Sequence, residues 1–217
     1  KKIVSILILT AFSAVSNAVE MVPETLVERY SYAIGARLAQ ALGAQGVSEV
    51  DATAFATAVE DVLAGRVLRM SDAEMLAAVT EEREARAQAN AEAGKAYRAQ
   101  NARRPGVVTL PNGLQYEVLQ PGKGAQPEAD ATVRVHYHGT RIDGAVFDSS
   151  QQRGQPAEFP LNGVIAGFRD AITRMRVGGQ WRIVVPGELA YGERGAGADI
   201  GPNETLVFEI SLLEIVR

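Results

Sequence analysis

The spacing between apolar residues changes from four to two near Pro105-Gly106, and this change constrains the fold more than any other feature of the sequence. Upstream, apolar residues recur at every fourth position, the spacing of one helix face: Leu26, Tyr30, Ile34, Leu38 and Leu42. Downstream, apolar and polar residues alternate as in half-buried strands along residues 113–120, 131–139, 180–186 and 205–216. The pattern predicts an α+β protein with a helical N-terminal part and an antiparallel sheet in its C-terminal part.

Glycines and capping residues divide the helical part into three helices. Gly43 is placed to end the first helix, and Asp51 is placed to cap a second one that closes at Gly65. The sequence SDAE at 71–74 is a capping box, in which the serine hydroxyl and the glutamate carboxylate each accept from a free backbone N–H. A third helix is therefore expected to begin here.

This third helix meets no strong breaker before Pro105, so it should run for about 32 residues, or 48 Å at 1.5 Å per residue. Beyond Val79 it has no apolar stripe, and Gly94 is its one weak point. A helix that is polar on all sides typically bridges two domains through solvent. We therefore expect residues 71–106 to form a long linker helix.

The first two helices are too short to bury a core of their own. A second copy of the same chain is the simplest partner to complete it. Residues 19–70 are accordingly predicted to form a helical dimerisation domain.

The first eighteen residues have the three parts of a secretory signal peptide. Two lysines precede the apolar run IVSILILTAF, and SAVSNA at 13–18 supplies small residues before a cut after Ala18. The apolar run is shorter than the roughly 20 residues that span a bilayer, so no stable membrane anchor is expected. With no cysteine in the chain, these features favour a soluble periplasmic or secreted protein. A buried N-terminal helix is the alternative.

Composition excludes several classes of function. A hydrophobic content of 47% with 22% charged residues is typical of a globular protein, and the net charge of −4 disfavours nucleic acid as a partner. The only two histidines, His136 and His138, share one strand, so a Ser-His-Asp or Cys-His catalytic arrangement is hard to assemble. A zinc or copper site would need further ligands, and neither another histidine nor a cysteine supplies them. No metal or other cofactor is expected.

What remains is a set of aromatic and aliphatic residues placed for a pocket, several of them beside the polar residues Asp148 and Arg153. Alternation on a strand puts Tyr137 on the face opposite the two histidines. Residues 164–175 form the one helical segment of this half and are expected to pack on the sheet. The full set has the composition of a pre-formed ligand site: Tyr137, Phe147, Val164, Ile165, Phe168, Tyr191, Ile200 and Phe208.

Four motifs in the C-terminal half resemble the successive signatures of FKBP-type peptidyl-prolyl isomerases: VHYHGTRIDGAVFDSS, VIAGFRDAI, GGQWRIVVPGELAYGERG and NETLVFEISLLEI. Their order and spacing match over residues 107–217. The N-terminal motifs SYAIGARLA and MSDAEM, followed by RPGVVTLPNGLQYEVL, resemble the dimerisation region and linker of the bacterial Mip/FkpA-type members. The resemblance implies a sheet wrapped around one short helix, and homodimers held together by the N-terminal helices.

The resemblance also implies roles for the pocket residues. The catalytic group would be Tyr137, Phe147, Asp148, Tyr191 and Phe208, and the substrate-binding group would be Arg153, Val164, Ile165, Phe168 and Ile200. Partners would be proline-containing unfolded or exported polypeptides, and macrolides such as tacrolimus and rapamycin. Three rim positions depart from the family pattern, namely Ala157, Ala196 and Asp199, and Phe168 replaces the commoner floor tryptophan. The expected function is acceleration of X-Pro isomerisation during the folding of exported proteins, together with chaperone activity.

Two other readings compete with this one. A non-catalytic chaperone with a vestigial pocket would bind peptides without isomerising them. A metal-binding protein would use the two histidines. The presence of the wall residues Tyr137, Phe147, Asp148 and Tyr191 argues against the first reading.

Overall fold

The structure is a computed structural model that describes residues 22–43, 47 and 49–216. The predicted signal peptide, residues 1–18, lies outside this range. The chain divides into two compact units, residues 1–40 and 41–217. Helix α1 (Leu26–Gly43), most of which belongs to the first unit, leaves its apolar stripe uncovered, with Leu26 75% and Ile34 49% exposed.

Two further helices begin at the capping residues predicted from the sequence. Helix α2 (Ala52–Leu63) is capped by Asp51, whose side chain accepts a hydrogen bond from the Ala54 N–H at 2.7 Å. Helix α3 (Asp72–Asn101) begins with the complete capping box between Ser71 and Glu74. Both caps are confirmed, because capping bonds join residues only three positions apart and need no tertiary contact. No helix of the described residues is long and apolar enough to cross a membrane.

Seven strands form one antiparallel sheet: β1 (Val107–Thr109), β2 (Gln115–Gln120), β3 (Thr132–Arg141), β4 (Val146–Ser149), β5 (Ala157–Pro160), β6 (Gln180–Val185) and β7 (Leu206–Val216). Their order is β1-β2-β6-β7-β3-β4, with β5 pairing to β3. The predicted α+β fold is confirmed. The three strands that the sequence did not predict have only three or four residues, too few for alternation to be recognised.

The core lies between this sheet and helix α4 (Ala166–Ile172). The helix buries Phe168 and Ile172, and Met175 follows in the next turn, fully buried. The sheet supplies the opposite side with Val135, Ile183 and Ile210, all fully buried. The predicted packing of one short helix on the sheet is confirmed.

Helix α3 is not a free strut along its whole length. Its C-terminal half lies against the sheet domain through a stripe at spacings of three and four residues, and both Gly94 and Asn101 are buried. The Asn101 side-chain amide donates to Gln115 Oε1 at 2.9 Å, and the Tyr97 hydroxyl accepts from Arg182 at 3.0 Å. The prediction of a solvent-exposed bridge fails here because the covered stripe is made of polar and small residues, which apolar periodicity does not reveal.

Candidate active site

Strand β3 separates the two histidines from Tyr137. Burial alternates along the strand, so Tyr137 is 6% exposed and faces the core, while His136 and His138 lie half-buried on the other face. The histidines contact neighbouring serines, His136 Nδ1 at 3.2 Å from Ser150 Oγ and His138 Nδ1 at 3.0 Å from Ser149 Oγ. Over the described ranges, no group of three or more His, Cys, Asp or Glu side chains is placed to hold a metal ion. Of these three side chains, only that of Tyr137 lies on the core side of the sheet.

A cavity of about 240 Å³ opens beside Tyr137. It is walled by side chains from β3, β4, β5 and β7, and by the segment that leads into α4. The lining consists of Tyr137, Phe147, Asp148, Phe159, Gly163, Val164, Ile165, Phe168, Tyr191 and Phe208. Six phenylalanine or tyrosine rings and two aliphatic side chains make this an apolar pocket with one carboxylate at its edge, which is the usual composition of a small-ligand site.

The aromatic rings hold one another at edge-to-face angles. Phe168 is at the centre of the set, with its ring centroid 6.1 Å from that of Tyr137, 6.2 Å from that of Phe159 and 5.4 Å from that of Phe208. The Phe147 ring meets the Phe208 ring at 5.5 Å and 86°. Edge-to-face pairs stabilise the arrangement by about 0.5–1.5 kcal/mol each beyond their burial. The pocket is therefore formed before any ligand arrives.

Gly139 makes room for two of these rings. It lies on β3 two residues beyond Tyr137, on the same face of the sheet. A Cβ atom at this position would be 2.6 Å from Phe147 Cζ and 3.1 Å from Phe208 Cε1. The absent side chain is thus what allows the edges of both rings to approach the strand at the cavity wall.

The polar edge of the cavity is a hydrogen-bonded set of three side chains. The Tyr137 hydroxyl donates to Asp148 Oδ2, Arg153 forms an ion pair with Asp148 Oδ1, and Arg153 Nη2 donates to the Tyr137 hydroxyl at 2.9 Å. Burial acts to raise the pKa of Asp148, but the hydrogen bonds from Tyr137 and Arg153 outweigh it, so this pKa lies below its ordinary value. Asp148 is therefore a fixed carboxylate at neutral pH.

Two hydrogen-bond donors in the cavity wall have no acceptor within the part of the chain that the structure describes. They are the Tyr191 hydroxyl and the backbone N–H of Ile165, just before α4. Burial, and to a smaller degree the charge of Asp148, raises the pKa of Tyr191, so its hydroxyl stays protonated. Both groups are free to donate to a carbonyl oxygen of a bound ligand.

The structure brings together eight of the ten residues predicted for the site. Arg153 and Ile200 lie outside the lining. Arg153 acts on the cavity through Asp148 and Tyr137, and Ile200 is 7% exposed within the core. Their assignment to the substrate-binding group stays a prediction.

Sequence reasoning missed Phe159 and Gly163. Phe159 lies two residues beyond Ala157 on β5, and the alternation of covered and exposed residues puts both on the inner side. The sequence AEFP contains this alternation, but a strand of four residues was too short to be recognised. Phe159 supplies aromatic surface on the same strand as Ala157, where many family members carry an aromatic residue.

The single tryptophan is not part of the cavity. Trp181 on β6 stacks on Tyr116 of β2, with ring centroids 4.5 Å apart and planes 13° apart. Trp181 therefore contributes to the packing between β2 and β6.

Comparison with known proteins identifies the two parts of the chain. Residues 123–213 match the family described as FKBP-type peptidyl-prolyl cis-trans isomerase, and residues 27–118 match the domain amino terminal to FKBP-type peptidyl-prolyl isomerase. The chain is 44% identical over 200 residues to the FKBP-type 22 kDa peptidyl-prolyl cis-trans isomerase of Escherichia coli, a match that covers 89% of this chain and 97% of that protein. It is 41% identical over 205 residues to the peptidyl-prolyl cis-trans isomerase Mip of Coxiella burnetii, covering 89% of each.

A solved structure shows the same architecture. The crystal structure of FkpA from Escherichia coli matches with a TM-score of 0.63 and 34% identity, covering 89% of this chain and 98% of that one. The resemblance drawn from the sequence motifs is confirmed. This chain belongs to the FKBP-type peptidyl-prolyl cis-trans isomerases, and it is an enzyme of the bacterial kind in which a helical domain precedes the isomerase domain.

Proposed function

We propose that this isomerase uses the cavity beside Tyr137 to accelerate X-Pro isomerisation in unfolded exported proteins, and that it works as a homodimer with chaperone activity. The observation that carries the catalytic part is an aromatic cavity with two unused donors on its wall. Rotation about an X-Pro bond faces a barrier of about 18–20 kcal/mol, because the amide loses its resonance in the twisted state. Neither a nucleophile nor a general base is needed to lower it.

An apolar pocket lowers this barrier by removing water from the amide. The twisted amide is less delocalised than the planar one and depends less on hydration, so desolvation costs the planar state more. The rings of Phe147, Phe168 and Phe208 would enclose the proline ring and exclude water. The Tyr191 hydroxyl and the Ile165 N–H would hold substrate carbonyl groups. Asp148 keeps lone pairs beyond those used by Tyr137 and Arg153, and these could accept a peptide N–H.

The rate of cis-to-trans isomerisation of a short X-Pro peptide tests these assignments. We expect acceleration by the full chain, and a fall in kcat/KM of about tenfold or more for Asp148→Ala and Phe208→Ala, because each removes part of the wall that the transition state meets. Tyr191→Phe should lower it about three- to tenfold, the effect of losing one hydrogen bond of 0.5–1.5 kcal/mol. Tyr116→Phe is the matched control, because its hydroxyl lies outside the cavity. Full activity in all three cavity variants would place the reaction elsewhere.

The dimer is proposed from the apolar surface of the N-terminal helices. Most exposed large apolar residues of the described chain lie between residues 22 and 79, including Leu38 at 41% and Val62 at 61% exposure. A monomer rarely leaves so much apolar surface in contact with water. A groove of about 550 Å³ between α2 and the start of α3 offers a seat for the apolar stripe of α1 from a second copy; it is lined by Asp51, Thr53, Ala54, Thr57, Ala58, Asp61, Leu68, Arg69, Met70 and Met75.

A periplasmic location is proposed from residues 1–18, whose charged, apolar and small-residue parts follow the order of a secretory signal. Protein recovered from the periplasm of an expressing bacterium should then begin at Val19. A cytoplasmic product that keeps the apolar run would contradict this.

Client proteins would be exported chains that fold outside the cytoplasm, and macrolides of the tacrolimus class would compete for the same cavity.

A further inference from the structure

Tyr191 is carried by a loop that is closed on itself. The tyrosine comes immediately before the 3-10 turn Gly192–Arg194, and the chain returns at Asn203, whose N–H donates to the Gly192 carbonyl at 2.8 Å. Within the loop, Ala196 and Ile200 exchange two backbone hydrogen bonds of 2.8 and 3.2 Å. A loop whose ends and centre are bonded in this way moves as one body. Any displacement of this catalytic loop, residues 191–205, would move Tyr191 with it.

Helix α3 bonds to the outer side of the catalytic loop at three points. Arg83 Nη2 donates to the Glu193 carbonyl at 3.0 Å, Asn90 Nδ2 donates to the Pro202 carbonyl at 2.9 Å, and Arg98 Nη1 donates to Thr205 Oγ1 at 2.6 Å. The three donors are seven and eight residues apart, two helical turns each, so one face of the helix reaches the start, the return and the end of the loop. The catalytic residues of the cavity make none of these contacts.

Helix α3 also lies very close to the catalytic loop, in addition to being hydrogen-bonded to it. Gly94 is buried, and a Cβ atom there would be 3.0 Å from Thr205 Cβ. On the loop side, a Cβ atom at Gly201 would be 3.1 Å from the Asn90 amide nitrogen. One glycine on each side of the contact, Gly94 opposite Thr205 and Gly201 opposite Asn90, lets the helix lie close against the loop.

We propose that Asn90, supported by Arg83, is a positioning residue for catalysis: it holds the catalytic loop where the Tyr191 hydroxyl faces the cavity. Tyr191 needs such support because its side chain is 40% exposed and its hydroxyl has no partner among the described residues. A residue that is neither fully packed nor bonded takes its position from the backbone that carries it. The proposal rests on the proposed role of Tyr191 as a donor to substrate. Under this proposal, helix α3 takes part in the reaction by holding the loop that carries Tyr191.

The test is a double-mutant cycle in the full-length protein, with kcat and KM measured separately on a short X-Pro peptide. Asn90→Asp keeps the shape of the side chain but turns a carboxylate oxygen towards the Pro202 carbonyl, so the bond is lost and replaced by repulsion. We expect kcat/KM to fall about three- to tenfold, because small displacements of a reacting group are costly. Gln88→Glu is the matched control: it makes the same amide-to-carboxylate change on an exposed side chain whose hydrogen bond, to Glu92, stays within the helix.

The cycle separates a positioning role from a structural one. If Asn90 acts through Tyr191, Asn90→Asp should cost little further activity once Tyr191→Phe is present, so the two effects should not add. Hydrogen exchange should become faster at residues 192–204 and stay unchanged in the strands. Additive losses, or exchange that accelerates throughout the sheet, would overturn the proposal in favour of general destabilisation. Full activity in Asn90→Asp would also overturn it.

The same cycle shows whether the proposed function fails instead. If Tyr191→Phe alone keeps full activity, Tyr191 is not a donor to substrate and the role assigned to it is wrong. If Tyr191→Phe loses activity and Asn90→Asp does not, the site stands and only the positioning role is wrong. A gain of activity in Asn90→Asp/Arg83→Ala would likewise overturn the positioning role and leave the site in place.

Discussion

At the scale of single residues, the cavity combines one hydrogen-bonded polar set, Tyr137, Asp148 and Arg153, with the apolar rings around it. Tyr137 belongs to both, because its ring meets Phe159 and Phe168 while its hydroxyl donates to Asp148. Arg153 also makes a cation–π contact with Tyr137, with its guanidinium 5.7 Å from the centre of the tyrosine ring. This arrangement keeps the carboxylate at the cavity wall and leaves the cavity centre apolar.

Gly139 gives a prediction at this scale. Gly139→Ala should push the Phe147 and Phe208 rings away from the strand and into the cavity, because a Cβ atom there overlaps both. We expect kcat/KM on a short X-Pro peptide to fall by about tenfold or more, since the ring pocket would no longer fit. The overpacking should cost about 1–3 kcal/mol of unfolding free energy.

The measurements are the peptide assay and urea unfolding of the full chain. Wild-type kcat/KM in a folded Gly139→Ala protein would show that the rings move outward and that the cavity tolerates the change.

At the scale of elements, helix α3 combines two sets of requirements. Along the helix, helix-forming residues and a spaced ion pair support the helix itself, with Nη2 of the half-buried Arg86 3.1 Å from Glu82 Oε2. Its covered side needs a small residue at Gly94, where the helix comes closest to Thr205. Thr205 is 2% exposed and β-branched, so it has little freedom to move aside.

Gly94→Ala is therefore expected to destabilise the protein although alanine is the better helix former. Helix propensity would favour alanine by about 1 kcal/mol. The clash with Thr205 should cost about 1–3 kcal/mol and outweigh it. Urea unfolding should show the difference, and Gly94→Ala/Thr205→Ala should recover part of it.

Gly35→Ala is the matched control, since this glycine is also inside a helix but has no atom within 4 Å of an added Cβ. It should be neutral or stabilising by up to about 1 kcal/mol. Equal effects at Gly35 and Gly94 would mean that the contact with Thr205 does not constrain the helix.

At the scale of the whole molecule, the N-terminal helices carry most of the exposed large apolar side chains of the described residues. We expect Ile34→Glu/Leu38→Glu to give monomers, because two charges on the α1 stripe cannot be buried against a second copy. Gln40→Glu, about 160° around the same helix from Leu38 and about 120° from Ile34, should leave the dimer intact. Sedimentation equilibrium measures the outcome.

The monomeric variant also tests the chaperone role. Its kcat/KM on a short peptide should stay within about twofold of wild type, because the cavity belongs to a single chain. Its effect on the refolding or aggregation of an unfolded protein should fall by about tenfold or more, since two linked sites gain avidity that one site lacks. Equal protection by monomer and dimer would remove the dimer from the chaperone mechanism.

Local patterns in the sequence were enough for the helices, for the four longer strands and for most of the cavity. Capping at Asp51 and Ser71 involves residues three positions apart, and the alternation around Tyr137 follows from strand geometry alone. Residue type then pointed to an apolar site, and the succession of motifs pointed to the family. Eight of the ten predicted site residues line one cavity, four of them on strands β3, β4 and β7 and the other four on the segment around α4 and on the loop that carries Tyr191.

Only the tertiary structure decided what the polar helix touches and which small residues are required. Asn90, Gly94 and Arg98 look in the sequence like part of a solvated surface, yet they lie against a loop more than a hundred positions away. Phe159 joined the cavity from a strand too short to be seen, and Ile200 was drawn into the core. The physical reason is the same in each case. Hydrophobic periodicity along the sequence reports the burial of apolar residues against near neighbours. Polar docking and close glycine contacts depend on distant segments that folding brings together.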